Sequence, residues 1–357
     1  MNTLWKPVKL GRLMLANRLA MAPMTRSRSS TDGAPTGVNA EYYAQRAAFG
    51  LIVTEGTQPS ADGQGYMLTP GIYNERQVSG WKLVIERVHA AGGRIFIQLM
   101  HVGRISHPLN TLAGRQPVAP SAVRPAGTMF TAQGPLEMPE PHELTLAEID
   151  ATVRDFRHAA ACAIAAGADG VELHAANGYL IHQFLSENAN RRTDQYGGSF
   201  ENRVRFAADV AAAVAEEIGA DRTGVHISPG NPFNDIVEGD TTALYTALVS
   251  RLTHLNLAYL HTVHAGDEAL LLTLRTMWPT TLLVNRAGRP RESIAVDVDA
   301  GIADIATVGR FALANPDLVR RLKTDATLND ADPSTFYGGA EHGYTDYPAL
   351  DATAVAS

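Results

Sequence analysis

Eight short apolar runs recur along the 357-residue chain, and they constrain its fold more than any other feature. They are Arg18–Pro23, Gly50–Thr54, Arg94–Leu99, Asp169–Leu173, Thr223–Ile227, Leu257–Thr262, Thr281–Val284 and Asp304–Val308. Each is apolar at successive rather than alternate positions, the pattern of strands covered on both faces in a parallel sheet. Helical patterns lie between several of them. Val78–Ala91 repeats Trp81, Val84, Ile85 and Val88 on one face. Leu146–Ala166 follows a Thr145/Glu148 capping box, and Asn202–Ile218 follows Gly197-Gly198-Ser199. Thr241–Thr253 and Glu292–Ala300 complete the set. Stacked strand–helix units in this number close most simply into a (β/α)8 TIM barrel; an open doubly wound sheet is the rival.

Two stretches stand outside the repeat. His101–Glu143 is rich in proline and has little periodicity, a long loop excursion after strand three. Beyond Asn329 the chain is rich in Gly, Pro and Tyr and reads as a C-terminal wrapping tail. No Gly/Ser linker interrupts the chain, so one barrel domain is expected over 1–357, with its core at about 4–350.

Composition narrows the function. Apolar residues at 45% exclude a disordered chain, and 30 basic against 37 acidic side chains argue against a nucleic-acid partner. The single cysteine, Cys162, excludes an intrachain disulfide or a cysteine-clustered metal site and reads as inert core. No apolar run reaches the ~18 residues that span a bilayer, and the start lacks a signal-peptide layout. A soluble, cytoplasmic protein with a sizeable core and no membrane partner is expected.

In such a barrel the chemistry sits at the C-terminal strand ends. Strand four ends in His174, Asn177 and Tyr179: two donors that could grip one oxygen, and a hydroxyl that could deliver a proton. A core histidine, a helix-capping asparagine and a packing tyrosine would read the same way. Gly309 and Arg310 after strand eight, with Ala287 and Gly288 after strand seven, suit a phosphate; a glycine turn and a surface arginine are the plain alternative. Paired carboxylates for glycoside chemistry and a His-x-x-x-His set are missing from these ends, so no metal is expected. A barrel aldolase would want a strand-end lysine, and these ends carry none.

Five motifs then identify a resemblance: Ala22–Arg26, Gln98–Arg104, His174–Phe206, Gly309-Arg310 with Ala314-Asn315-Pro316, and Phe336–Gly339 followed by Gly343–Pro348. The chain resembles the old yellow enzyme family of FMN-dependent ene reductases, in the branch of the bacterial N-ethylmaleimide and pentaerythritol tetranitrate reductases. The resemblance runs from Leu4 to Leu350. It implies that Pro23, Met24, Thr25, Gly56 and Gln98 bed the flavin ring. It implies that Ala287, Gly288, Gly309 and Arg310 hold the flavin phosphate. His174 and Asn177 would hold a carbonyl or nitro oxygen, Tyr179 would donate the proton, and Tyr66, Phe233 and Tyr337 would shape the substrate cavity. The implied reaction is ping-pong reduction of an activated C=C by NAD(P)H through FMN, with a small enone or nitroalkene as substrate. Family members are monomers or homodimers.

Three positions depart from the family pattern. His226 stands at the end of strand five where the family has an arginine beside the flavin. Arg286, followed by Arg289 and Arg291, stands near the phosphate in place of a small residue. Met100 replaces a common tryptophan and should widen the substrate pocket or change its stereochemical preference. Two accounts of the first pair are open. Arg286 or another cation compensates for the lost arginine and FMN still binds, or the extra arginines meet the acidic tail of a deazaflavin. A redox-neutral isomerase on the same flavin is the alternative reaction.

Overall fold

In a computed structural model, which describes residues 3–112 and 114–350, the eight runs form eight parallel strands. They are β1 (Leu19–Met21), β2 (Leu51–Val53), β3 (Ile95–Leu99), β4 (Gly170–Ala175), β5 (Thr223–Ile227), β6 (Tyr259–Val263), β7 (Thr281–Asn285) and β8 (Ile305–Val308). They close in sequence order, with β8 pairing back onto β1. The TIM barrel expected from the alternation is the fold, and most strands are buried at every position, as continuous apolarity requires.

The expected helices form where their caps are. Asn74 accepts from the backbone N–H of Gln77 and opens Glu75–Ala90; the Thr145/Glu148 box opens Leu146–Ala165. Asp240 caps Thr241–Thr253. The expected helix over 202–218 is split into Phe200–Arg203 and Arg205–Ile218. The expected helix over 292–300 is corrected: a 3-10 turn, Arg291–Ser293, precedes one short helix, Val296–Asp299. Its first residues follow Pro290, and Arg289, Pro290, Ser293 and Asp297 line a cavity at the mouth of the barrel. Asp267 caps a further helix, Glu268–Met277, which is absent from the expected set.

A hairpin, Val8–Leu10 with Leu13–Leu15, closes the N-terminal end of the barrel. Its Val8, Leu10 and Leu15 join Ala20, Leu51, Val53, Phe96, Tyr259, Leu283 and Ile305 in one apolar plug. Gly11 makes the turn with φ +55°, and a Cβ there would lie 2.0 Å from the Asp221 carbonyl oxygen, so only glycine fits. The larger apolar cluster lies between strands and helices. The N-terminal end is therefore sealed, and the open face is the other one.

The excursion after β3 carries the antiparallel pair Thr128–Thr131 and Gly134–Glu137 and a two-residue parallel pair, Val118–Ala119 with His142–Glu143. Buried Arg192 holds it down through the carbonyl of Pro120 at 2.8 Å. The tail wraps as expected, and arginines near the start of the chain hold it. Arg26 donates to the carbonyls of Phe336 (2.9 Å) and Gly343 (2.8 Å). Arg28 donates to those of Thr335 (2.9 Å) and His342 (3.0 Å), and Tyr344 stacks on Tyr42 with ring centroids 4.0 Å apart. Tyr337 is thereby brought to the rim of the open face.

Fully buried Arg46 works the same way on the segment after β8, donating to the carbonyls of Ala312 (2.9 Å) and Leu313 (2.8 Å) with its guanidinium over Tyr42. Arg46→Met keeps the apolar stem and strands those carbonyls, so we expect a loss of about 2–4 kcal/mol. Equilibrium denaturation checks it; an unmoved midpoint would show that water replaces the guanidinium without cost.

Candidate active site

The register of the barrel brings polar side chains from separate strands to one level. His174 on β4 pairs with His226 on β5, which pairs with His261 on β6. The three imidazoles form a column: His174 and His226 are 5.0 Å apart and 9° from parallel, His226 and His261 4.2 Å and 17°. Beneath them lies Glu172, buried completely. Its oxygens accept from Gln98 Nε2 (2.8 Å), Tyr259 Oη (2.9 Å) and His261 Nδ1 (3.0 Å). Burial alone would raise the carboxyl, but His261, with His226 and Gln98 alongside, brings it below the usual carboxylate range. His261 passes the network on to Thr307 on β8 at 3.0 Å.

His226 is the centre of the column. Its Nδ1 lies 3.2 Å from both Gln98 Nε2 and His174 Nδ1. Burial, with His261 alongside, pushes its pKa down to about 3. Burial also holds His174 well below the histidine range. Both rings are therefore neutral near pH 7, and His226 supplies no fixed positive charge. Its Nε2 is buried without a hydrogen-bond partner, a polar atom that calls for a ligand. Glu172, His226 and His261 offer ligating atoms within 4.8 Å of one another, a grouping that the sequence reading did not foresee. The three donors just described account for Glu172.

Beside the column, a cavity of about 580 Å³ opens at the ends of β1, β7 and β8. Pro23, Met24, Arg286, Ala287, Gly288, Gly309 and Arg310, all expected at the cofactor, line it together. Leu328–Ala331 also line it, which the sequence reading missed because they follow no strand. A Cβ on Gly309 would lie 3.2 Å from Met24 Sδ, tighter than an ordinary contact. Arg310 is exposed here and makes no hydrogen bond or ion pair to any described residue.

Arg286 behaves differently from expectation. Its guanidinium is gripped by Asp297 (2.6 and 2.8 Å) and by Glu268. Those hydrogen bonds raise its pKa despite burial, and its charge is balanced within the chain. Arg289 lies 3.8 Å from the same Glu268, and Arg291 pairs with Asp325 and the Ala326 carbonyl. Arg286 therefore neither replaces the cation missing at His226 nor forms a free basic cluster with its neighbours. That removes the ground for the deazaflavin alternative, and Arg310 remains as the available cation.

The remaining candidates stand around this group of residues. Tyr179, nearly buried, has its hydroxyl 3.0 Å from that of Tyr66, and burial with Tyr66 alongside raises its pKa well above the tyrosine range. Met100 is buried over Gly56, where a Cβ would come within 2.4 Å of its Sδ, and packs with Val102, Ile105, Met129, Met138 and Tyr179. Thr25 is half-buried next to Met24. Phe233 and Tyr337 are exposed by 56% and 69% at the rim.

The sequence pattern of the NADH:flavin oxidoreductase / NADH oxidase family matches residues 3–329. The chain belongs to this family, that of old yellow enzyme. It is 41% identical to a probable flavin mononucleotide-dependent alkene reductase of Leishmania infantum over 98% of both chains. It is 42% identical to putative 12-oxophytodienoate reductase 3 of Oryza sativa subsp. japonica, over 98% of this chain and 93% of that one. Among solved structures, morphinone reductase in complex with tetrahydroNAD superposes with a TM-score of 0.94 at 44% identity over 98% of both chains. This old yellow enzyme is a flavin oxidoreductase, and its residues fit FMN. An unpartnered buried imidazole nitrogen, a tight glycine cradle, a free arginine and a cavity between them are the requirements of a ring and a phosphate.

The neutral imidazoles also make stability depend on pH. His174 and His226 stay unprotonated in the folded enzyme, as does buried His101, whose pKa burial pushes to about 4. The unfolded chain protonates them below about pH 6.5. It then binds more protons than the folded state, so the stabilisation is complete above that pH and falls as pH drops toward 3. We expect the denaturation midpoint to fall steadily from pH 7 to pH 5. His226→Gln should flatten the slope by up to about 1.4 kcal/mol per pH unit. An unchanged slope would mean that His226 titrates in the folded state.

Proposed function

We propose that this old yellow enzyme reduces the activated C=C of α,β-unsaturated carbonyls or nitroalkenes, with electrons from NAD(P)H through FMN. The observation that carries the reading is the group at the end of β4. His174 turns Nδ1 into the column and leaves Nε2 without a partner among the described residues, and Asn177 and Tyr179 follow within five residues. Asn177 has φ +54°, a left-handed conformation that asparagine tolerates and that turns the chain sharply between the strand and Tyr179.

Pro23, Met24, Gly309 and Arg310 would hold FMN, with Ala287 and Gly288 at its phosphate and Thr25, Gly56, Gln98 and His226 at its ring. Bound FMN would carry hydride from the nicotinamide to the β-carbon of the alkene. The Asn177 amide donates to the carbonyl or nitro oxygen, as does His174 in the tautomer that carries its proton on Nε2, and together they stabilise the negative charge that grows on it. Tyr179 gives its hydroxyl proton to the α-carbon. Its raised pKa keeps the hydroxyl protonated at neutral pH, and the Tyr66 hydroxyl hydrogen-bonds the oxyanion left behind. Met100, Phe233 and Tyr337 bound the substrate. Donor and acceptor use one site in turn, consistent with a chain that lacks a dinucleotide-binding glycine motif.

Among the described residues no helix is long and apolar enough to cross a membrane. We place the enzyme in the cytoplasm as a single-domain monomer or homodimer.

Tyr179→Phe tests the reading. We expect NADPH to reduce the bound flavin at the wild-type rate, while reoxidation by 2-cyclohexenone slows by about 10²–10⁴-fold, the range for loss of a general acid. Stopped-flow absorbance of the two half-reactions measures both. Wild-type reoxidation in the variant would remove Tyr179 from proton transfer.

A further inference from the structure

Asn177 is held on three sides by the loop that follows β5. Its backbone N–H donates to Ser228 Oγ (2.9 Å), and its carbonyl accepts from Asn234 Nδ2 (2.8 Å). Its side-chain Oδ1 accepts from Asn231 Nδ2 (2.9 Å). The fourth polar group, Asn177 Nδ2, makes no hydrogen bond to any described residue. The loop is tightly built: Asn234 and Asp235 both adopt positive φ, and buried Arg104 donates to the Asp235 carbonyl. Gly178 lies so close that a Cβ would come within 2.5 Å of Asn234 Cβ.

Which end of the Asn177 amide faces outward matters, because only the NH2 end can stabilise charge on a substrate oxygen. That choice is settled by a donor that cannot turn round. The backbone N–H of Phe233 donates to Asn231 Oδ1 at 3.1 Å. An N–H has no acceptor capacity, so Asn231 must present its oxygen to Phe233 and its Nδ2 to Asn177. Asn177 must then offer Oδ1 to Asn231, and its NH2 is what remains for a ligand. The orientation thus runs by a chain of obligatory donors from the main chain of one loop to the side chain of another, 54 residues apart in sequence.

We propose that Asn231 is a positioning residue that sets the polarity of the Asn177 amide, so that the clamp on the substrate oxygen presents a donor. The proposal rests on the reading of Asn177 as part of that clamp. It separates Asn231 from an ordinary turn residue in a definite way. Asn231→Asp keeps an oxygen for the Phe233 N–H, but its other oxygen can only accept while ionised. The Asn177 amide must then turn over and point Oδ1 at the substrate oxygen. Asn231→Ala loses the turn contact but leaves Asn177 free to rotate.

The experiment compares Asn231→Ala, Asn231→Asp, Asn177→Ala and the Asp/Ala double variant in the FMN-loaded enzyme. It measures kcat and KM for 2-cyclohexenone from pH 5 to 8, flavin content and thermal midpoint. We expect Asn231→Ala to lose a few-fold in kcat/KM. Asn231→Asp should lose at least about tenfold more at pH 8, recovering part of it toward pH 5 as the carboxyl protonates, with flavin content and midpoint close to wild type. The double variant should be no worse than Asn177→Ala alone. A turn residue without influence on the amide predicts the reverse order, with Asp above Ala. That order would overturn the proposal while leaving the clamp intact, provided Asn177→Ala is impaired. Full activity in Asn177→Ala would overturn the clamp reading itself and the proposal with it.

Discussion

One ionised carboxylate, Glu172, organises the mouth of this barrel. A charge buried completely among apolar strands is tolerable only with a full set of donors, and Gln98 on β3 with Tyr259 and His261 on β6 supply it from two other strands. Each donor is oriented by that bond. Gln98 is set against His226, His261 reaches Thr307, and His226 lies between His174 and His261. The site above inherits its geometry from this one satisfied group, which explains a glutamate in the middle of a fully buried strand.

His226 brings no positive charge to the place where a cation might have stood. His226 and His174 are kept uncharged by burial, and Arg286 is balanced by Asp297 and Glu268. Positive charge remains at Arg310, on the opposite side of the cavity, which suits an anionic phosphate there and a delocalised ring over the histidines. Hydrogen-bond donors, rather than a net charge, then act on the reacting oxygen.

The segment after β1 serves two purposes. Pro23 and Met24 line the cavity, while Arg26 and Arg28, next in the chain, hold the tail and so bring Tyr337 to the rim. The loop after β5 has a similar double role, carrying Phe233 to the rim and fixing Asn177 through Asn231 and Asn234.

Much of this was readable before any coordinates. Strands buried on both faces leave continuous apolar runs, so eight of them announced a barrel, and the strand-end rule pointed to His174, Asn177, Tyr179, Gly309 and Arg310. The five motifs pointed to the family. The failures are equally physical. The helix expected over 292–300 shortened because its chain bends into the cavity wall beside Arg286. Arg286 looked like a ligand for phosphate because a sequence shows a charge but not the carboxylates that fold against it. Glu172 and His261 were passed over because only strand register places them under His226. The sequence by itself determined the barrel, its reactive end and the residue types there, since these follow from local periodicity and chain order. Which charges are free, which imidazoles stack and which end of the Asn177 amide faces out were decided by tertiary structure, because each depends on donors and acceptors that only the closed barrel brings within 3 Å.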